Sequence, residues 1–189
     1  TLAAHDALPA ALLGHSMGGK VAMHLALGEP GTVTRLLVAD IAPVAYAPHF
    51  HDLVAALRAL RLRPGLTRAE ASVLLAPAVP DAALRAFLLQ NLRFEEMPAW
   101  RLGLAEIAAN LSLLEGWDAP PGARYEGPAL FLSGARSSYV RPDYRPAIRA
   151  LFPAARFATL RDAGHWMHAD QPEAFAATAA AFLAPGEPA

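Results

Sequence analysis

The stretch LLGHSMGGKVAMHLA, residues 12–26, constrains the fold of this chain more than any other part of its sequence. An apolar run leads to a serine with Gly14 two residues before it and Gly18 two residues after it, and a helix-like run follows. The residues fit the pattern G-x-S-x-G, in which the serine occupies a strained turn between a strand and a helix. Small neighbours let the strand and the helix approach each other, and the serine backbone takes a positive φ. The pattern therefore predicts a strand before Ser16 and a helix directly after it.

Short apolar runs alternate with helical patterns along the rest of the chain. Three further runs, at 35–43, at 128–134 and from 155 onward, are bounded by Pro or Gly and predict buried strands. The 189 residues are 54% hydrophobic and 17% charged, which favours a packed globular protein over disorder. The alternation predicts an α/β protein with a mostly parallel sheet flanked by helices.

Residues 44–121 differ from this alternation. They are amphipathic at helical spacing and are separated by breaks that contain proline. We interpret this segment as a helical insertion between two parts of one core, 1–43 and 122–189. Helical stretches are expected at 50–62, 68–76, 81–94 and 99–117, and a further helix, bent at Pro146, is expected at 143–153.

Composition excludes several classes of function. The net charge is −1 and there is no basic block, which argues against a nucleic-acid partner. The absence of cysteine excludes disulfides and thiolate metal sites and fits a reducing compartment such as the cytoplasm. No stretch approaches the ~18 apolar residues of a membrane span. The spacing of the histidines does not suggest a metal site, so neither a metal nor another cofactor is expected.

A serine hydroxyl needs a base to act as a nucleophile, and in this kind of site the partners follow in the order Ser, acid, His. His165 follows the last expected strand and precedes the final helix, which places it in a loop at the same sheet edge as Ser16. His168, three residues on, is the competitor. Gly164 favours His165, because it lets the backbone turn sharply. His15 is expected to pack beside the serine turn.

The acid should be nearly buried and should hydrogen-bond His165. Asp40 ends the strand that follows the first helix, where sites of open parallel sheets gather. Asp143 stands at a helix start and fits a helix N-terminal charge. Asp162 is only three residues before His165, where a productive hydrogen bond is disfavoured. We predict Asp40 as the acid.

The helix behind the serine supplies N–H groups and the positive end of its dipole, where negative charge develops during acyl transfer. The backbone N–H of Met17 is the expected oxyanion donor.

Glu106 and Glu115 are expected on solvated helix faces.

The blocks GHSMGGKVAM, VADIAPVAY, PALFLSGARSSYV and LFPAARFATLRDAGHWMHADQPEAF together resemble α/β-hydrolases. More narrowly they resemble the YbfF-like esterases and thioesterases, the group that includes abhydrolase domain-containing protein 11. The resemblance implies that residues 44–121 form a helical cap over an acyl pocket. It also implies that Asp40, in the DIAP block, is the acid. Most hydrolases of this fold carry the acid at a later turn, which here reads Gly134-Ala135-Arg136-Ser137 and has no carboxylate.

The resemblance implies a bacterial cytoplasmic enzyme that hydrolyses small-molecule carboxylic esters or thioesters, with short to medium acyl groups that include acyl-CoA, through an acyl-serine. The alternatives are a C–C bond hydrolase or perhydrolase of the same fold, or a catalytically impaired fragment. The chain begins just before the nucleophile strand, so the family's leading strands and the loop with its second oxyanion N–H are expected to be missing. A separate N-terminal segment or a partner copy in a homo-oligomer would then complete the fold.

Overall fold

The computed structural model describes residue 4 and residues 6–184. The chain divides into two compact units, one formed by 1–44 with 117–189 and the other by 45–116. In chain order the elements are β1 (Ala10–His15), α1 (Met17–Gly28), β2 (Val33–Ala39), α2 (His51–Ala59), α3 (Arg68–Leu75), α4 (Ala82–Leu88), β3 (Leu92–Arg93), β4 (Ala99–Trp100), α5 (Leu104–Glu115), β5 (Ala129–Gly134), α6 (Arg145–Leu151), β6 (Ala155–Leu160), α7 (Met167–Asp170) and α8 (Pro172–Leu183).

The first unit is built on a parallel sheet whose described strands lie in the order β1-β2-β5-β6. The two central strands, β2 and β5, are buried along most of their length. Burial on both faces explains why these strands read as continuous apolar runs rather than as alternating ones. The predicted α/β fold with a mostly parallel sheet is confirmed.

The core of the first unit fixes the strand ends that carry the polar residues described below. Leu37, Leu132 and Met167 are fully buried in one apolar cluster that links β2, β5 and α7. Burial of side chains of this size contributes about 1.5–3 kcal/mol each. On β5, Phe131 lies with its ring 5.6 Å from that of Phe152, which follows α6. The strand ends are therefore held by a packed apolar core.

The helix predicted at 143–153 begins differently from the prediction. A 3₁₀ turn at Pro142–Tyr144 precedes α6, and Pro146 lies in the first turn of α6 rather than at a bend. Proline is well accommodated there, because the N–H that it lacks would have no partner within the helix. The predicted bend at Pro146 is wrong.

The second unit contains four helices among its described elements, α2 to α5. Its core is a cluster of buried side chains in which most members are leucines: Leu57, Leu60, Leu66, Ala71, Leu75, Leu89, Leu92 and Leu104. A capping box begins α3: Thr67 Oγ1 accepts a hydrogen bond from the N–H of Glu70, and the Glu70 carboxylate accepts one from the N–H of Thr67. This reciprocal pair satisfies two N–H groups that the helix leaves unpaired.

Two of the predicted helical stretches are interrupted by a short antiparallel pair, β3 with β4. The predicted helix at 81–94 ends at Leu88, and the one at 99–117 begins only at Leu104. Leu92 pairs with Trp100 across the two strands, and both contact the leucine cluster. Packing of these two side chains in and against the leucine cluster outweighs the helical periodicity of their neighbours, which is a tertiary effect on local preference.

Glu115 is buried and does not lie on a solvated face, so that expectation is wrong. Its Oε1 accepts hydrogen bonds from the backbone N–H groups of His49 (3.0 Å) and Phe50 (3.1 Å), directly before α2. Burial raises the pKa of the Glu115 carboxyl, but these two hydrogen bonds and the imidazoles of His51 and His49 outweigh burial, so its pKa is lowered. The carboxylate therefore stabilises the N-terminal end of α2.

Candidate active site

Ser16 lies on a tight bend between β1 and α1. Its backbone has φ 53° and ψ −123°, in the left-handed region that side chains rarely adopt. The Ser16 N–H donates to the carbonyl of Ala39 at the end of β2 (2.9 Å), and the Ser16 carbonyl accepts from the N–H of Gly19 (2.8 Å). The strained bend is thus fixed by main-chain hydrogen bonds on both sides.

Two glycines let α1 lie close to the strand ends, and only one of them belongs to the G-x-S-x-G pattern. A Cβ on Gly14 would lie 2.6 Å from the carbonyl carbon of Gly18 and 2.7 Å from the Cα of Gly19. A Cβ on Gly19 would lie 2.5 Å from Cγ2 of Ile41, whereas a Cβ on Gly18 would meet nothing within 4 Å. Close packing therefore requires glycine at positions 14 and 19 but not at position 18.

His165 lies in the loop between β6 and α7, and its ring contacts both other residues that the sequence singled out. Its Nε2 is 3.0 Å from Oγ of Ser16, and its Nδ1 is 2.8 Å from Oδ2 of Asp40. These contacts join residues that are 149 and 125 positions apart in sequence. The side chain of His165 is 21% exposed, so the ring stays open to solvent at one side.

Asp40 directly follows β2, and its carboxylate is fully buried. Its backbone φ of 52° also lies in the left-handed region, and its N–H donates to the carbonyl of Leu132 on β5 (2.8 Å). The Gly134 N–H donates to Oδ1 of Asp40 (3.3 Å), and the Ser137 hydroxyl donates to Oδ2. Together with the His165 ring, these donors supply the partners that a buried carboxylate requires.

Ser137 is a site residue that the sequence argument missed. It lies in the turn after β5, Gly134-Ala135-Arg136-Ser137, which contains no carboxylate. The N–H of Tyr139 donates to the Ser137 Oγ (3.3 Å), and the Tyr139 ring lies 4.3 Å from the His165 ring between centroids. In most hydrolases of this fold the corresponding turn carries the acid. A small hydroxyl side chain at this turn is the signal that could have identified Ser137.

The other candidates for the base and the acid, His168, Asp143 and Asp162, are not part of this hydrogen-bonded path. The His168 ring packs against Trp166 and Phe175, with centroids 5.9 and 6.0 Å apart, and within the described part of the chain no hydrogen bond joins it to Ser16. Asp143 is exposed and pairs with Arg141 (2.8 Å). Asp162 is exposed, and its φ of 55° belongs to the turn after β6.

Met17 begins α1, so its N–H belongs to the first turn, whose N–H groups have no partner within a helix. The aligned peptide dipoles give this end about half a unit of positive charge. An anion beside Ser16 would therefore meet a backbone donor in a favourable field.

His15, the last residue of β1, contacts the backbone of His165. Its Nε2 is 2.8 Å from the His165 carbonyl oxygen, and its ring lies 4.7 Å from the His165 ring and 5.0 Å from that of His168. Burial lowers the pKa of His15; the hydrogen bond to the His165 carbonyl opposes this effect, and repulsion from His165 and His168 adds to it. The expected packing beside the serine turn thus includes a specific polar contact.

Across the described residues, no group of three or more His, Asp or Glu side chains is arranged to hold a metal ion. None of the described helices is both long enough and apolar enough to cross a membrane.

The described sheet is parallel, with a serine on a strand-to-helix bend and a histidine and an aspartate after other strands. This arrangement defines a class of α/β proteins with a nucleophilic serine. Residues 1–178 match the alpha/beta hydrolase family. The chain belongs to this family, and the resemblance seen in the four sequence blocks is confirmed.

Among its relatives, the sn-1-specific diacylglycerol lipase ABHD11 of Mus musculus is 41% identical over 94% of this chain and 60% of that protein. Esterase YbfF of Escherichia coli K12 is 34% identical over 92% of this chain and 67% of that protein. A solved marine microorganism esterase superposes with a TM-score of 0.92 at 32% identity, over 96% of this chain and 73% of that one. The chain therefore spans about 60% of the length of the ABHD11 protein that it matches.

Proposed function

We propose that this chain carries the catalytic residues of a serine hydrolase that cleaves carboxylic esters through an acyl-serine. One observation carries the proposal: an unbroken hydrogen-bonded path from Ser16 Oγ through the His165 ring to the buried carboxylate of Asp40. Such a path is what a weakly nucleophilic hydroxyl needs to lose its proton at neutral pH. The names of the relatives, a diacylglycerol lipase and two esterases, support ester cleavage over other chemistry of the same fold.

In the acylation step, Ser16 Oγ bonds to the ester carbonyl carbon while His165 Nε2 takes the hydroxyl proton. The carbonyl oxygen becomes an oxyanion, which the Met17 N–H stabilises at the positive end of α1. As the tetrahedral intermediate collapses, the bond to the alcohol oxygen breaks and His165 returns the proton to that oxygen. A water molecule then repeats the sequence on the acyl-serine and releases the acid.

Asp40 acts through His165 rather than on the substrate. It accepts the Nδ1–H of His165, which leaves Nε2 free to take the serine proton, and it stabilises the imidazolium that forms. The donors from Gly134 and Ser137 keep the carboxylate oriented toward His165. This function requires Asp40 to be the acid and gives Asp143 no role.

The finer features rest on the family resemblance. We propose thioesters, including acyl-CoA, as substrates beside esters, short to medium acyl groups, and a cytoplasmic location. The assignment of residues 44–121 as a cap stays a prediction.

A fluorophosphonate probe tests the proposal, because it reacts with serines that an adjacent base activates. We expect labelling of the chain at Ser16, loss of labelling in Ser16→Ala, and full labelling in Ser112→Ala, a control at an exposed serine on α5. A panel of 4-nitrophenyl esters and acyl-CoA thioesters then separates substrate classes. Labelling that survives Ser16→Ala contradicts the proposal. Labelling at Ser16 without turnover of any ester or thioester favours the C–C bond hydrolase or perhydrolase alternative.

A further inference from the structure

Two consecutive residues, His15 at the end of β1 and Ser16 on the bend that follows it, contact His165 at two different places. Ser16 contacts the ring at Nε2 (3.0 Å), and His15 contacts the main-chain carbonyl (2.8 Å). The reactive hydroxyl and the second contact are therefore carried by adjacent residues of the chain. A shift of the His165 loop away from β1 would lengthen both contacts together.

The contact between His15 and His165 defines which ring nitrogen of His15 carries a proton. A carbonyl oxygen only accepts hydrogen bonds, so the Nε2 of His15 is the donor. In the neutral ring, the proton then sits on Nε2 and Nδ1 is unprotonated. This assignment follows from the geometry of the contact and can be observed directly.

The surroundings of His15 favour its neutral form. Burial lowers the pKa of His15, and the groups facing it from the loop after β6 and from α7 are His165 and His168, whose charged forms would repel a second cation. Asp40 is the one carboxylate among the described groups that acts on it in the opposite sense. A neutral His15 leaves His165 free to become an imidazolium, whereas a charged ring centred 4.7 Å away would oppose that step.

Other contacts hold the segment before His165. The N–H of Gly164 donates to Oδ2 of Asp170 (2.7 Å), and the N–H of Arg136 donates to the carbonyl of Ala163 (2.9 Å). These contacts attach the loop to α7 and to the turn after β5. The contact from His15 attaches it to the strand that presents Ser16.

We propose that His15 is a positioning residue for the base: its Nε2–H holds the His165 main chain so that the His165 ring stays within hydrogen-bonding distance of Ser16. This inference rests on the proposed function, since it concerns the geometry of the same site. Misplacement of a reacting group by about 1 Å can cost on the order of 10²-fold in rate.

The variants His15→Gln and His15→Phe separate the hydrogen bond from the packing. Glutamine keeps an N–H donor at similar reach, and phenylalanine keeps a ring but donates nothing. We expect His15→Phe to lower kcat, and the rate of fluorophosphonate labelling, about 10-fold to 10²-fold with KM changed less than about 2-fold. We expect His15→Gln to restore most of both rates. His24→Phe, at an exposed histidine on α1, is the matched control and should leave both rates unchanged.

Wild-type rates in a folded His15→Phe overturn the proposal. Equal losses in His15→Phe and His15→Gln also overturn it, because the donor would then have no role of its own.

A second measurement needs neither a variant nor activity. In ¹⁵N NMR spectra of the wild-type chain at neutral pH, we expect His15 to be neutral with its proton on Nε2. A proton on Nδ1, or a charged ring, overturns the inference even if every variant fails to fold. Because this readout is independent of turnover, a chain that fails to label at Ser16 would contradict the proposed function without deciding the tautomer of His15.

Discussion

The hydroxyl of Ser137 donates a hydrogen bond to the carboxylate of Asp40, across 97 positions of sequence. The same oxygen, Oδ2, accepts the contact from Nδ1 of His165. The turn after β5 thus supplies a neutral donor to an acid that stands on the neighbouring strand end. The acid and its support are divided between two strands, and this division makes the role of Ser137 testable separately from that of Asp40.

We predict that Ser137→Ala lowers kcat about 10-fold to 10²-fold. Loss of a hydrogen bond to a charged group costs about 1.5–3 kcal/mol, and the loss here would release Asp40 from one of its orienting donors. Ester turnover measures the change. The control is Ser138→Ala, at the adjacent exposed serine, which should change kcat less than about 2-fold, as expected for a surface substitution. Unchanged turnover in Ser137→Ala would show that Gly134 and His165 suffice to hold Asp40.

We predict that Asp40→Asn lowers kcat by a factor on the order of 10⁴, because the amide no longer fixes His165 in the tautomer that accepts the serine proton. Asp143→Asn should stay within about 2-fold of wild type, because Asp143 is exposed and pairs only with Arg141 among the described groups. Steady-state kinetics on one 4-nitrophenyl ester suffice for both variants. The opposite ranking would transfer the role of the acid to Asp143.

We predict different effects of alanine at two neighbouring glycines of α1. Gly19→Ala should destabilise the fold by about 1–3 kcal/mol, since its Cβ would lie 2.5 Å from Cγ2 of Ile41. Gly18→Ala should be neutral or stabilising by up to about 1 kcal/mol, since the added methyl meets open space and alanine favours a helix. Urea unfolding measures both effects. Equal destabilisation by the two substitutions would contradict the steric difference described at this bend.

The sequence predicts Ser16, Asp40 and His165 as one site because parallel strands place their carboxyl ends at one edge of a sheet. Strand order and turn residues suffice for this prediction, and both can be inferred from local sequence. Ser137 could not be found in this way, because its role depends on the side-chain direction of an acid 97 positions away. The sequence predicts that His15 packs beside the bend, but its contact with the His165 carbonyl depends on how the end of β1 meets the loop after β6.

The second unit shows the same limit of prediction from local sequence. The apolar spacing of residues 81–94 fits a helix, yet Leu92 pairs with Trp100 in a short strand pair because both side chains reach the leucine cluster. The sequence predicts Glu115 as a surface residue at the end of α5. Nothing near it in sequence indicates that the N–H groups of His49 and Phe50 lie beside its carboxylate. Local sequence patterns predict helices and strands. The partners of a buried side chain, in contrast, are determined only when the whole chain has folded.

We predict that Glu115→Gln destabilises the chain by about 1–3 kcal/mol at pH 7, because the N–H groups of His49 and Phe50 then lose a charged acceptor. The imidazoles of His49 and His51 lie 3.8 and 3.5 Å from the same carboxylate. The control is Glu106→Gln, at an exposed position on the same helix, which should change stability by less than about 0.5 kcal/mol.

The effect of Glu115→Gln should depend on pH in a definite direction. The folded chain lowers the pKa of Glu115 below its ordinary value of 4.5, so the carboxylate contributes its full stability above that value. The contribution is lost as the pH falls through the lower, folded-state pKa. The difference in unfolding free energy between wild type and Glu115→Gln should therefore shrink as the pH falls below about 4.5. Urea unfolding at pH values on both sides of 4.5 measures it. A difference that grows as the pH falls below about 4.5 would mean that the neutral carboxyl, and not the carboxylate, is the form that the buried site prefers.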